Sequence, residues 1–359
     1  MTPLVLTEEQ SQLARTAGEL VGRSLAPLRT LRDTRDARGY SAERYARMVA
    51  LGWTAIPFAE ADGGLGMGFA ELVVVTEAMG RGLAPEPIIP VIALAGRALA
   101  LGGRHPGVVA DVIAGKQIVA LACSARGRFD PGRAPFRATP EGGGFRLVGE
   151  ATQVWGGALA DAYVVAADTG ALFLVRADAA RTTRQHRIDS HNACLVALDT
   201  VVGADAIVGD RAVLEAALDG ATVALCGEML GGMAEALERT IGYLRERHQF
   251  GVAIGSFQAL KHRAARLYIE LELSRSAVMA AARALDAGDP DAAQLVSLAK
   301  ARLSDAYCLV TNEAVQLHGG IGMTDEHDIG LFLKRARACE QTFGDAAYHR
   351  DRFARLAGF

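Results

Sequence analysis

The chain has 359 residues, 50% of them hydrophobic and 22% charged, with a formal net charge of −3 at pH 7. This is a soluble globular composition, long enough to bury a large core in two or three domains. The near-neutral balance gives no overall electrostatic reason to expect a nucleic acid or an acidic membrane as partner.

The start, Met1-Thr2-Pro3-Leu4, lacks a basic segment followed by an apolar core, so no signal peptide is expected. Thr7-Glu8-Glu9-Gln10 is a capping-box pattern, and Leu13, Ala17, Leu20, Val21 and Leu25 follow at helical spacing. A second helix is expected after Ser41, through Tyr45, Met48 and Leu51. The Gly-rich run from Glu60 to Gly68 carries Phe69 where a third dinucleotide-loop Gly would stand, and no strand precedes it. A tight connection between helices is therefore expected rather than a phosphate loop. Helical runs resume over Ala70–Gly82 and Pro90–Leu101. The apolar stretch from Pro87 to Leu101 is interrupted by Arg97 and is too short to span a bilayer.

The pattern changes near Lys116. Short apolar runs at Gln117–Cys123, Phe145–Val148, Ala162–Ala167 and Ala171–Val175, separated by Gly and Asp turns, predict a small β domain over residues 116–207. His186, His191 and Cys194 within it match no zinc spacing and lack an evident fourth ligand. From Asp210 the chain reads as helical again. Val213–Arg247, Phe257–Ala287, Asp291–Leu317 and Leu331–Leu356 predict a four-helix bundle, with Gly288-Asp289-Pro290 as one break. The expected class is α+β: an N-terminal helical domain (1–115), a middle β domain (116–207) and a C-terminal four-helix bundle (208–359). The five cysteines are scattered with no CxxC pair, which points to free thiols in a reducing cytoplasm.

Two loops of the bundle carry chemistry. Arg247-His248-Gln249-Phe250-Gly251, followed by Gln258, sets a guanidinium, an aromatic ring and an amide around a short corner. Such a corner can hold an anion, stack a flat ring and pair with a heteroaromatic edge. The same residues also suit a plain helix C-terminus with favourable cations and a Gly stop. Gln316-Leu317-His318-Gly319-Gly320-Ile321-Gly322 offers glycines that let a phosphate approach main-chain N–H groups, or equally an ordinary helix cap and loop. His318 by itself reads as a structural hydrogen-bonding histidine.

The domain order and these two loops together resemble the acyl-CoA dehydrogenase family of flavoenzymes. Arg247-x-Gln249-Phe250-Gly251 with Gln258 is similar to its RxQFG…Q signature, and Gln316-x-x-Gly319-Gly320-x-Gly322 to its QxxGGxG signature. Thr54–Gly66, Gly80–Pro87 and Gly157–Ala166 are similar to further family segments, so the resemblance spans nearly the whole chain. It implies FAD at a subunit interface and an acyl-CoA thioester lying on the flavin. Arg247, Phe250 and Gln258 would serve the pyrophosphate and adenine half of FAD, with Gln316, Leu317, His318, Gly319 and Gly320 lining the same half. The flavin ring would sit in the neighbouring subunit. The implied chemistry is α,β-desaturation, with a carboxylate taking the α-proton and a hydride leaving the β-carbon for FAD. An electron-transferring flavoprotein is the implied acceptor, and no metal is expected.

The sequence departs from the family where the base should be. The family's Glu, placed after an RDAR-like segment, aligns with Phe343, counting from Lys334-Arg335-Ala336-Arg337; its alternative position aligns with Ala221. Asp345 is a tentative substitute. Glu228 is a weaker one, read rather as a surface or helix-pair charge. The flavin half is altered as well: Ala122-Cys123-Ser124 stands for a TEP-like stretch, and Gln153-Val154-Trp155-Gly156 for a WIT-like one. Some bacterial relatives that act on ring-bearing or dicarboxylic acyl-CoAs are built from unlike subunits. The pattern here is consistent with a non-catalytic subunit of such a heteromer, or with a homo-oligomer whose base is displaced. A FAD-free binding or scaffold protein that kept only the fold is the alternative of a different class.

Overall fold

The computed structural model describes residues 5–359; the tetrapeptide at 1–4, read above for a signal segment, lies outside them. Helices α1 (Glu8–Val21), α2 (Ala26–Thr34), α3 (Ala42–Ala50) and α4 (Phe69–Arg81) come first. A π-helical stretch, Ile88–Gly96, runs on into α5 (Arg97–Gly102), followed by α6 (Pro106–Ile113). Eight strands come next: β1 (Val119–Ala122), β2 (Phe136–Glu141), β3 (Gly144–Trp155), β4 (Ala162–Ala166), β5 (Leu172–Arg176), β6 (Ala180–Gln185), β7 (Ala193–Gly203) and β8 (Ile207–Gly209). The chain then forms α7 (Arg211–Glu246), the two-residue strands β9 (His248–Gln249) and β10 (Val252–Ala253), α8 (Gln258–Asp286), α9 (Ala292–His318), α10 (Ile329–Gln341) and α11 (Ala346–Leu356). This is the helical, then β, then helical order expected of the α+β class.

The residues form two compact units. One holds Pro27–Leu72 and Pro85–Ala224; the other holds the segment up to Ala26, Val73–Ala84 and Leu225–Phe359. In the first, the strands make two four-stranded sheets, β1-β4-β5-β8 and β2-β3-β7-β6. All neighbours are antiparallel except the parallel pair β1 and β4. Alternate residues point into one shared core: Ala120, Ala122, Tyr163, Val165, Phe173 and Val175 from one sheet, Phe136, Ala138, Leu147, Ala151, Cys194 and Val196 from the other. Strands β2 and β6, which the apolar runs did not single out, are the two edges of their sheet. Their outward residues are polar, and Pro140 is tolerated because β2, apart from a single bridge from Phe136 to Ala167, pairs only with β3.

The second unit is helical. Thr7 closes the expected capping box on α1: its Oγ accepts from Gln10 N (3.1 Å), while Gln10 Oε1 accepts from Thr7 N (3.1 Å). Where α4 meets α7, the backbones touch. A Cβ on Gly80 would stand 1.9 Å from the Glu228 carbonyl oxygen, and one on Gly231 would stand 1.8 Å from that of Glu77. Helix α9 packs against α8, α10 and α11.

The structure corrects the fourth long helix. Leu331–Leu356 does not run through; it is α10 and α11, broken at Thr342–Asp345. Thr342 is extended, while Phe343 and Gly344 take positive φ (60° and 104°). The Asp345 carboxylate then accepts from Tyr348 N (2.8 Å) and starts α11 as its N-cap. Breaking a helix orphans carbonyls. Lys300, fully buried on α9, serves two of them: Nζ donates to Gly344 O (2.7 Å) and Glu340 O (3.2 Å), and to Ser304 Oγ (3.0 Å).

Candidate cofactor site

Helix α7 ends at Glu246, and the chain turns back on it at once. Gln249 pairs with Val252 and His248 with Ala253, leaving Phe250-Gly251 as a two-residue hairpin turn. Both turn residues have positive φ (55° and 81°), the backbone a tight hairpin needs. Gly adopts it freely; Phe does not, so the turn holds Phe250 in a strained conformation that presents its ring outward. That ring is 92% exposed and meets Phe257 edge-on at 6.2 Å. The return strand is tied down by Ile254 N donating to Arg247 O (2.8 Å). Gly255 is seated so closely that a Cβ there would lie 2.8 Å from Leu244 O. Helix α8 then starts at Gln258. The side chains of Arg247 and Gln258 are exposed and have no hydrogen-bond or ion-pair partner among the described residues.

The second loop closes α9. Gln316 is exposed and Leu317 is buried, so Leu317 offers only its backbone to the loop's outer face. Gly319 ends the helix at φ 67°, and an added Cβ on Gly319 or Gly320 would meet nothing within 4 Å. No side chain therefore stands between these two residues and an approaching ligand, although the N–H of Gly319 is itself engaged, donating to Gln316 O at the end of α9. Gly322 is different: it is buried, and a Cβ there would press on Val315 O at 2.7 Å.

His318 is buried, and its ring joins the two loops. It stacks on Tyr243 of α7, with centroids 4.5 Å apart and planes at 29°. Tyr243 lies one turn before Arg247. His327 packs on His318 at 4.4 Å and also meets Tyr243 edge-on at 6.3 Å, so the three rings form a triangle. His318 Nδ1 donates to Ala314 O (2.7 Å), whereas its buried Nε2 has no hydrogen bond. Burial pushes this imidazole below its ordinary pKa, so it is neutral at pH 7. The structure thus places Arg247, Phe250 and Gln258 in one corner and couples that corner to the Gln316–Gly320 loop. Tyr243 and His327 were missed in the sequence. The available signal was the i, i+4 spacing of Arg239, Tyr243 and Arg247 on one helix face.

No free carboxylate appears at the positions considered for a base. Phe343 is buried, and its carbonyl accepts from His349 Nε2 (3.0 Å). Asp345 is occupied as the α11 cap. Of the two readings of Glu228, the helix-pair charge holds and the surface charge does not: it is buried and pairs with Arg335 through two bonds, 2.7 and 2.8 Å, between α7 and α10. Ala221 is buried and apolar.

In the β unit, Cys123 is buried at the end of β1, its thiol pushed up to about 11 by burial, so it carries no thiolate. Trp155, at the end of β3, is buried with its ring edge-on to His191 (6.0 Å) and under the Arg187 guanidinium (5.9 Å).

The sequence matches two family models: the acyl-CoA dehydrogenase N-terminal domain over residues 7–105 and its C-terminal domain over 209–357. It is 30% identical over 349 residues to the acyl-CoA dehydrogenase IpdE2 of Mycobacterium tuberculosis, covering 95% of this chain and 94% of that protein. The chain belongs to the acyl-CoA dehydrogenase family. Among solved structures of the family, a chain of the ChsE4–ChsE5 complex from Mycobacterium tuberculosis superposes with TM-score 0.89 at 28% identity, covering 99% of each chain. A chain of a variant of the Tcur3481–Tcur3483 steroid ACAD superposes with TM-score 0.89 at 29% identity, covering 98% of each.

As an acyl-CoA dehydrogenase, this chain is of an oxidoreductase family acting on acyl-CoA, with FAD as cofactor. The donor set fits the ADP half of that cofactor. An unpaired guanidinium suits a diphosphate, two glycines without side chains let it come close to the main chain, and two exposed amides suit an adenine edge. The FAD-free scaffold reading finds no support in the fold or the relatives.

Proposed function

We propose that this chain is a subunit of a heteromeric acyl-CoA dehydrogenase, lending the ADP half of a FAD site to a neighbour that holds the flavin ring and the base. The reaction is α,β-desaturation of an acyl-CoA thioester. FAD supplies the hydride acceptor. Arg247 binds the diphosphate, Gln258 and Gln316 orient the adenine edge, Phe250 packs against it, and the main chain of Gly319 and Gly320 lets the phosphates approach closely. The α-proton is taken by a carboxylate of the partner. Asp345 is not that base, because it is committed to the α11 cap, and neither is Glu228, because it is committed to Arg335.

One contrast carries this reading: Arg247, Gln258 and Gln316 are present, exposed and without a hydrogen-bond partner among the described residues, while the family's base position is a buried Phe343. The ChsE4–ChsE5 and Tcur3481–Tcur3483 complexes support assembly from two different chains, and the latter supports a bulky, ring-bearing acyl group such as a steroid side-chain thioester. An electron-transferring flavoprotein is the proposed acceptor. A cytoplasmic setting is proposed from the five free, buried cysteines. Among the described residues no helix is long and apolar enough to cross a membrane.

The test is FAD stoichiometry. Purified alone, the chain is expected to carry little FAD; co-produced with a base-bearing family member, it is expected to carry about one FAD per pair, by the general rule that a shared site is completed only on assembly. A full FAD per chain in the isolated protein, with thioester oxidation, overturns the heteromer.

A further inference from the structure

Arg239, Tyr243 and Arg247 follow one another at i, i+4 spacing along α7, so they share one face, about 6 Å apart along the helix axis. Arg247 keeps that register just past Glu246, because its N–H donates to Tyr243 O (2.9 Å). The other two each hold one end of the second cofactor loop. Tyr243 stacks on His318, the last residue of α9. Arg239 donates to Asp328, the residue before α10, at 3.1 Å. Residues 319–328 are thus held at both ends by the helix that presents Arg247.

Arg239 is itself fixed in place. Its Nε donates to Glu235 Oε1 (2.8 Å), one Nη donates to the Arg23 carbonyl (2.5 Å), and the guanidinium lies 5.6 Å from the centre of the Phe332 ring. Glu235 is buried and pairs with Arg23 as well (2.7 Å), so it keeps a cation if Arg239 is replaced. The planar fork therefore meets three acceptors in three directions: α7, the segment after α1 and the loop. A lysine keeps the charge but gathers its donors on one nitrogen and cannot span all three. Register matters to a ligand that both loops must touch. A loop that visits the competent register for only a fraction of the time binds more weakly by that fraction.

We infer that Arg239 is a positioning residue for the cofactor: through Asp328 it keeps the 316–320 loop in register with Arg247, without contributing a group to the cofactor itself. This rests on the ADP-half reading above. Asp328 has other interactions besides this one, so the test substitutes Arg239.

The experiment measures the FAD dissociation constant of the assembled protein by flavin fluorescence, with urea unfolding of each variant in parallel. Arg239→Met should weaken FAD binding about tenfold, the loss expected when the loop is in register about a tenth of the time. Arg239→Lys should recover part of that loss. Arg275→Met is the control: Arg275 joins α8 to α4 through Glu77 (2.8 and 3.0 Å) and pairs with no residue of either loop, so it should cost stability and leave FAD binding unchanged. The deciding comparison is made in an Arg247→Met background. With Arg247 gone there is no register to keep, so Arg239→Met should add little further loss. If Arg239→Met does not fold, Arg239→Lys in the two backgrounds makes the same comparison. An equal loss in both backgrounds is what a merely structural role produces, and it overturns the inference, as does wild-type FAD binding in Arg239→Met. Wild-type FAD binding in Arg247→Met alone overturns the ADP-half reading, and the positioning role with it.

Discussion

Asp345 and Glu228 show how a carboxylate is judged by what it already holds. Asp345 caps α11, and Asn is as good a cap as Asp, whereas Ala forfeits about 1 kcal/mol. Asp345→Asn keeps the cap but gives up the carboxylate's attraction for the buried Lys300, and is expected to leave the turnover of the assembled enzyme nearly unchanged. Asp345→Ala should lower stability by about that 1 kcal/mol with turnover still intact. A drop of 10²-fold or more in turnover for the Asn variant, on the order expected for loss of a general base, would reinstate Asp345 as that base. Glu228 differs because its partner is buried with it. Removing one member of such a pair strands the other charge, at about 3–5 kcal/mol. Glu228→Ala should lower the unfolding free energy obtained from urea denaturation by that amount, so lost activity in this variant says nothing about catalysis. The pairing also explains why Glu228 was hard to place from sequence. Its burial is set by Arg335, more than a hundred residues away, which no local pattern reveals.

At the scale of elements, most of the fold was legible because periodicity carries it. The capping box at Thr7, the apolar strands β1, β4 and β5, and the long helices α7, α8 and α9 all follow from the spacing of apolar residues. The misses have physical causes. Strands β2 and β6 are edges with polar outer faces, and the α10–α11 break is enforced by a tertiary contact, Lys300 to Gly344 O and Glu340 O, that lies outside any local window. The two loops proposed to hold FAD could be read in the sequence as candidate donor sets, but the ring contacts that couple them needed the fold. The α4–α7 crossing was equally hidden, since Gly80 stands at the end of α4, where a Gly reads as a helix stop, and Gly231 sits mid-helix, where Gly is intrinsically unfavourable by about 1 kcal/mol. Their value is closeness of approach. Gly231→Ala would gain that propensity in an isolated helix, yet here its methyl would meet the Glu77 backbone at 1.8 Å. Backbone cannot rotate away, so overpacking is expected to dominate, with a net loss of about 1–3 kcal/mol. Chemical denaturation of Gly231→Ala beside Gly242→Ala, where an added Cβ meets nothing within 4 Å, checks this: only the former should lose stability.

The whole molecule integrates its buried histidines into a pH dependence. His349 is buried behind the α10–α11 break, with Nε2 donating to Phe343 O (3.0 Å) and Nδ1 without a hydrogen bond. Burial, chiefly, holds its pKa down to about 3, against an ordinary 6.5. His318 is shifted in the same direction for the same first reason. A depressed histidine is charged in the unfolded chain before it is charged in the fold, so below pH 6.5 the unfolded state binds more protons and acid favours unfolding. The stabilising contribution is complete above about pH 6.5 and is lost as pH falls toward the folded value, at about 1.4 kcal/mol per unit for His349. Carboxylates whose pKa is held down, such as Glu238 between Arg81 and Arg23, do not add to this slope above pH 5, because they are still ionised in both states. The window from pH 6.5 to 5 therefore isolates the histidines. Urea midpoints measured at pH 7.5, 6.0 and 5.0 should be flat above 6.5 and fall steeply below it. His349→Gln, which can still donate to Phe343 O but does not titrate, should reduce the slope by about one proton. An unchanged slope in that variant would mean that His349 takes up its proton in the folded chain as readily as in the unfolded one, and that its burial is relieved before the chain opens.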